Sequence, residues 1–152
     1  MADFDGKVLG AGLLRKRLDS LKNRYKAGVR HGLNLASADL LGRSAALAPI
    51  LTGDLIRSGR VIPSRPSSDV YRSTVAYGTN HALWCHYAHY NLGPISRRKT
   101  ATEDGPVGRM FLRRPFDKHK EQYVQFIISA AARGPGSVRA SGLGGARTGE
   151  EG

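Results

Sequence analysis

The stretch LAPILTGDLIRSGRV, Leu47 to Val61, ends one helix, starts a second and runs into a strand. Pro49 disfavours the α conformation at Ala48 and has no N–H for a continuing helix, so a helix arriving from upstream stops there. Thr52 and Asp54 then offer capping oxygens for a short turn through Ser58, and Gly59 lets the chain leave it for Arg60, Val61 and Ile62.

Upstream of this corner, Leu14, Leu18, Leu21, Tyr25, Val29, Leu33, Ala36, Leu40 and Leu47 recur at steps of three and four or their multiples. They predict one amphipathic helix over Ala11 to Ala48. At 1.5 Å per residue it would be about 57 Å long, more than the core of so small a domain requires, and part of it is expected to pack on another chain. Gly28 and Gly32 lie on the apolar stripe, where each costs roughly 1 kcal/mol relative to Ala. Either the helix kinks or breaks there or a neighbouring helix comes close; on the second reading the two glycines are candidate subunit-interface residues.

Downstream, Arg60–Ser64 and Val70–Gly78 read as strands joined by a turn-rich linker, Pro63 to Asp69. Asn80 to Asn91, NHALWCHYAHYN, could form a short helix or a strand; because its apolar residues do not alternate cleanly, a helical turn or short helix is favoured. Leu92 to Arg109 keeps no apolar period and contains Arg97, Arg98 and Lys99, so residues 93–108 are expected to form a long basic loop, ordered by a partner. From Pro115 a second helix starts, with Pro115 and Asp117 suited to its first turn and Phe116, Tyr123, Phe126, Ile127 and Ala130 as its apolar stripe. Residues 134–152 hold seven of the 19 glycines and no aromatic residue, the composition of a flexible tail. The expected organisation is a single α+β domain over 1–133 followed by that tail.

Lys and Arg total 24 against 12 Asp and Glu, a net charge of +12, in a chain of 152 residues. That balance calls for an acidic neighbour or a nucleic acid. A single cysteine, Cys85, excludes an intrachain disulfide framework. The opening MADFDGKVLGAGLLRKR has acidic residues early and only a short apolar patch, unlike a signal peptide, and no apolar run approaches the roughly 20 residues that span a bilayer. A cytosolic protein without membrane contact is expected.

Chemistry-bearing residues are few. His81, Cys85, His86 and His89 are zinc-ligand types, but their spacing matches no common structural zinc pattern, and packing in an aromatic layer with Trp84, Tyr87 and Tyr90 is the favoured reading. Nothing supplies an oxyanion hole or an orienting third group for Cys85 as a nucleophile. Asp54, Asp69, Glu103, Asp104 and Asp117 read as caps and solvated loop charges rather than a paired acid and base. Gly105 to Gly108 lacks the remainder of a phosphate-binding loop. The expectation is no catalytic site, no metal and no cofactor.

Four pieces occur in order: the corner LAPILTGDLIRSG, then VAYGTN at Val75–Asn80, HYAHYNLGP at His86–Pro94, and GRMFLRRPF at Gly108–Phe116. This order resembles the neck and tail-completion proteins at the head-tail junction of long-tailed bacteriophages, over roughly Ala36 to Ile128. The resemblance implies an α+β fold in which a long N-terminal helix and a C-terminal helix pack on a small, mainly antiparallel sheet. Its structural-motif positions fall on Pro49, Thr52, Gly53, Leu55, Ser58, Tyr87, Ala88, Gly93, Phe111, Leu112 and Pro115. It further implies a virion structural protein, assembled in the host cytoplasm into a sixfold or twelvefold homo-oligomeric ring around a DNA channel, in contact with connector and tail proteins. Arg97, Arg98, Lys99, Arg113 and Arg114 join Gly28 and Gly32 as candidate interface residues. Many relatives carry an acidic residue before the glycine at Gly93, where this chain has Asn91 and Leu92, so that residue's contacts do not carry over. Tail terminator and minor capsid component share the resemblance; the alternative from another class is a basic nucleic-acid-binding protein.

Overall fold

A computed structural model describes residues 10–63, 65 and 70–135. Helix α1 spans Ala11–Leu47, α2 Asp54–Arg57, α3 Ala82–Tyr87, α4 Pro94–Arg98 and α5 Arg113–Arg133. Strands β1, Gly59–Ile62, and β2, Thr74–Tyr77, pair antiparallel with Gly59 opposite Tyr77 and Ile62 opposite Thr74. The fold is α+β: a long N-terminal helix, a C-terminal helix and a small two-stranded antiparallel sheet.

Helix α1 ends as Pro49 demands. Ala48 is extended at φ −65° and ψ 137°, and its N–H makes the last helical bond to Ser44 O, 2.9 Å. Two carbonyls at this end are satisfied by Lys99, whose Nζ donates to Ala45 O at 3.0 Å and Ala48 O at 2.9 Å. Gly53, at φ +85°, then turns the chain into α2. Gly59 is needed for a different reason: a Cβ there would stand 2.9 Å from both the Leu41 Cδ1 and the Tyr77 ring, so the absent side chain lets β1 lie against α1.

Helix α5 runs antiparallel along the C-terminal part of α1. Gly28 and Gly32 face Ala130, Ala131 and Ile127, while Ala36 packs with Tyr123 and Phe126. The close-approach reading of the glycines therefore holds, and α1 runs unbroken through both. The helix that approaches is α5 of the same chain, which covers both glycines and leaves them no surface for a neighbouring subunit. A second cluster gathers Leu47, Ala48, Leu55 and Phe111 under the corner, with the Tyr77 ring edge-on to Phe111 at 5.2 Å.

Three expectations change. The strands are shorter than Arg60–Ser64 and Val70–Gly78, because Pro63 has no N–H to extend the ladder beyond Ile62 opposite Thr74. Phe116 is exposed, while Tyr123, Phe126 and Ala130 of the same stripe are buried. Residues 93–108 are not one long loop: Pro94 starts α4, and Thr102 and Gly105 exchange backbone hydrogen bonds of 3.1 and 3.0 Å across a tight turn. The chain's own contacts hold this segment. Most of the linker Pro63–Asp69, and the tail beyond 135, lie outside the described residues.

Candidate assembly surface

The motif residues converge around the end of α1. Leu55 and Phe111 are buried together beside Leu47, and Leu112 packs against the same cluster. Pro115 is fully buried in the first turn of α5. Ser58 Oγ donates to Leu55 O at 2.7 Å and accepts the Gly78 N–H at 3.2 Å, joining the end of α2 to the end of β2. The backbone binds the later pieces to the earlier ones: Gly108 N–H to Leu47 O, 2.9 Å, and Met110 N–H to His86 O, 2.8 Å. Residues scattered over some 70 positions thus form one tertiary unit.

Above that unit lies a groove of about 350 Å³, whose wall includes Pro49, Thr52, Gly53, Leu55, Trp84 and Gly93. Its floor is fixed by Ser96, fully buried, whose hydroxyl donates to Ile50 O at 2.9 Å and accepts the Ile50 N–H at 2.8 Å. Trp84 stacks on Tyr90 with ring centroids 5.1 Å apart, and Tyr90 Oη donates to Cys85 O at 2.8 Å. The rim is apolar and open: Leu51 is 86% exposed and Trp84 57%. Leu83 and Tyr87 on α3 and Ile95 on α4 are exposed as well.

The His and Cys residues of this region serve different neighbours. The His86 ring meets Phe111 edge-on at 5.0 Å, and burial, with Arg113 and Arg114 nearby, lowers its pKa. His89 contacts the Arg109 guanidinium. Cys85 packs against the Leu47 cluster, and burial pushes its thiol up, the opposite of an activated thiolate.

The basic interface candidates divide. Arg97 and Arg98 are exposed on α4, and Arg113 is exposed and pairs with Asp117 at 3.3 Å. Lys99 and Arg114 are instead committed within the chain, Lys99 to the end of α1 and Arg114 to the carbonyls of Pro106 and Arg109, each at 2.6 Å. Burial lowers the pKa of both.

A charged cluster joins α1, the 102–105 turn and α5. Asp104, expected to be a solvated loop charge, has a side chain only 2% exposed. His119 Nε2 donates to Asp104 Oδ1 at 2.6 Å, and Arg43 Nη1 reaches Asp104 Oδ2 at 3.3 Å and also binds Glu103. Arg43 Nε donates to Asp39 at 2.7 Å, and Asp39 accepts the Tyr123 hydroxyl at 2.7 Å. Because Nε2 carries the proton it gives to Asp104, it has no lone pair for Arg43, and their 3.1 Å separation is a packing contact. Burial lowers the pKa of Arg43, but the carboxylates of Glu103, Asp39 and Asp104 reverse that and raise it. Burial raises Asp104, and the hydrogen bonds from His119 and Arg43 outweigh it, leaving its carboxyl below the ordinary range. The carboxylate and imidazole atoms of Glu103, Asp104 and His119 lie within 4.8 Å of one another, with Lys118 Nζ 3.7 Å from Asp104. Arg43 and Lys118 supply the positive charge there, and the network pins the 102–105 turn between α1 and α5. The Asp104-Gly105 turn signal was present in the sequence; the partner 15 residues on was not legible.

Comparison with family models, with curated proteins and with solved structures finds no match to this chain. No helix among the described residues is long and apolar enough to cross a membrane.

Proposed function

We propose that the protein is a structural component of the head-tail junction of a long-tailed bacteriophage, one copy of a homo-oligomeric ring that links connector to tail around the DNA channel. The observation that carries this reading is the convergence of the four motif pieces on one unit, topped by a groove whose rim leaves Leu51 and Trp84 open. An apolar groove of this kind is suited to an aliphatic or aromatic anchor from the adjacent copy. A closed ring needs a heterologous interface, in which one face of each copy meets a different face of the next. The exposed Arg97, Arg98 and Arg113 would select acidic neighbours or the DNA in the channel. Cys85, with its thiol pushed up, offers no support for a thiol enzyme.

The test is copy number in purified virions together with the mass of the isolated protein. A multiple of six per virion, lost on Leu51→Asp while the melting temperature is kept, supports the ring. Absence from virions, combined with DNA binding that collapses as salt rises, replaces it with the nucleic-acid reading.

A further inference from the structure

The stripe of α1 that packs on α5 does not end where α5 ends. Helix α5 stops at Arg133, whose carbonyl accepts a 2.7 Å hydrogen bond from Arg24 Nη2. From Arg24 back to Ala11, α1 continues for about 20 Å at 1.5 Å per residue. Along that length Leu14, Leu18, Leu21 and Tyr25 extend the line of Gly28 and Gly32 at alternating steps of four and three, and each is 57–59% exposed. Leu13, also 58% exposed, widens the apolar surface at the first turn; beyond it the seam is narrow, the pattern of a helix that pairs with one other helix rather than one that lies on a broad apolar surface.

Its borders are basic on both sides. Arg17 and Arg24 precede Leu18 and Tyr25 by one residue and run along one edge; Arg15 and Lys22 follow Leu14 and Leu21 by one and run along the other. Asp19 is the sole acidic residue from Ala11 to Lys26. Two copies laid seam to seam would oppose these cations in either orientation, which disfavours self-pairing. Residues 136–152 contain only Val138 and Leu143 as larger apolar side chains.

We propose that residues 11–25 form a docking surface for an acidic amphipathic helix of a partner protein. Its apolar seam packs on Leu14, Leu18, Leu21 and Tyr25, and its carboxylates line up with the flanking Arg15, Arg17, Lys22 and Arg24. The proposal goes beyond the ring reading and does not depend on it, because docking requires only the isolated chain.

The experiment uses the full chain and a labelled synthetic peptide of four heptads, with Leu at the two seam positions and Glu at the positions beside them. Like charge keeps that peptide from pairing with itself. Fluorescence anisotropy at physiological salt should show binding of the Glu peptide, with roughly tenfold or more loss for the same peptide carrying Lys. Leu18→Ser with Leu21→Ser should weaken binding by roughly tenfold or more at an unchanged melting temperature, since both side chains are exposed. Arg17→Glu with Lys22→Glu should turn the preference toward the Lys peptide, which keeps the test decisive if the serine variant folds poorly. The proposal is overturned if the Glu peptide does not bind or binds the serine variant equally well. It is overturned too if the chain sediments as a dimer that the serine variant dissolves, or if phosphatidylserine vesicles or a 30-base-pair duplex displace the bound peptide.

Discussion

A Cβ on Gly28 would overlap the carbonyl oxygen of Ala130 and stand 2.9 Å from the Cα of Ala131. The two helices meet backbone to backbone at this point. A residue that weakens an isolated helix is therefore what allows α1 and α5 to pack, and the penalty in helix propensity is outweighed by the contact it permits.

Gly42 lies in the same helix with nothing within 4 Å of where its Cβ would be. Gly42→Ala should stabilise the protein by about 0.5–1 kcal/mol, while Gly28→Ala should destabilise it by about 1–3 kcal/mol despite the same gain in propensity. Urea unfolding of the two variants checks this. A stabilised Gly28→Ala protein would mean that α5 does not lie on that face of α1.

Asp104→Ala leaves His119 and Arg43 without the carboxylate that holds them together and should cost about 3 kcal/mol near neutral pH. The pH dependence has a definite sign. Hydrogen bonds from His119 and Arg43 keep the folded-state pKa of Asp104 below its ordinary value, overcoming the opposing effect of burial. Its stabilisation is thus full above the unfolded carboxylate pKa of about 3.9 and is lost as pH falls through the folded value. Unfolding free energies of wild type and variant, measured from neutral pH downward, should stay apart until about pH 4 and converge below it. A gap that is constant down to strong acid would separate Asp104 from the stability of the fold.

At the corner, Gly53 holds φ +85° with only the tip of the Arg57 side chain nearby, at 3.7 Å. The constraint there is backbone conformation rather than space. Gly53→Val should therefore lower stability by roughly 1–2 kcal/mol, and Gly53→Asn, which tolerates the left-handed region, by clearly less. Equal melting temperatures for the two variants would show that the corner does not require this conformation.

Much of the framework follows from the sequence alone. Pro49 lacks an N–H and restrains Ala48, so the stop of α1 follows from two adjacent residues; the steps of three and four predict the helices because their period is a property of the backbone itself. The turn at Gly53 and the start of α5 near Pro115 are likewise local. What tertiary structure alone decided are the pairings across long stretches of chain. Gly28 meets Ala130, Arg43 meets Asp104, Ser96 closes on Ile50 and Lys99 caps the end of α1. Each joins residues at least 46 positions apart. Local propensity carries no information at that range, because which surfaces meet is set by the joint packing of α1, α5 and the sheet. Hence Asp104 read as a solvated loop charge and residues 93–108 as a loop: the groups that bury the one and fold the other are contributed by α1, α5 and the corner, and only the assembled domain brings them within reach.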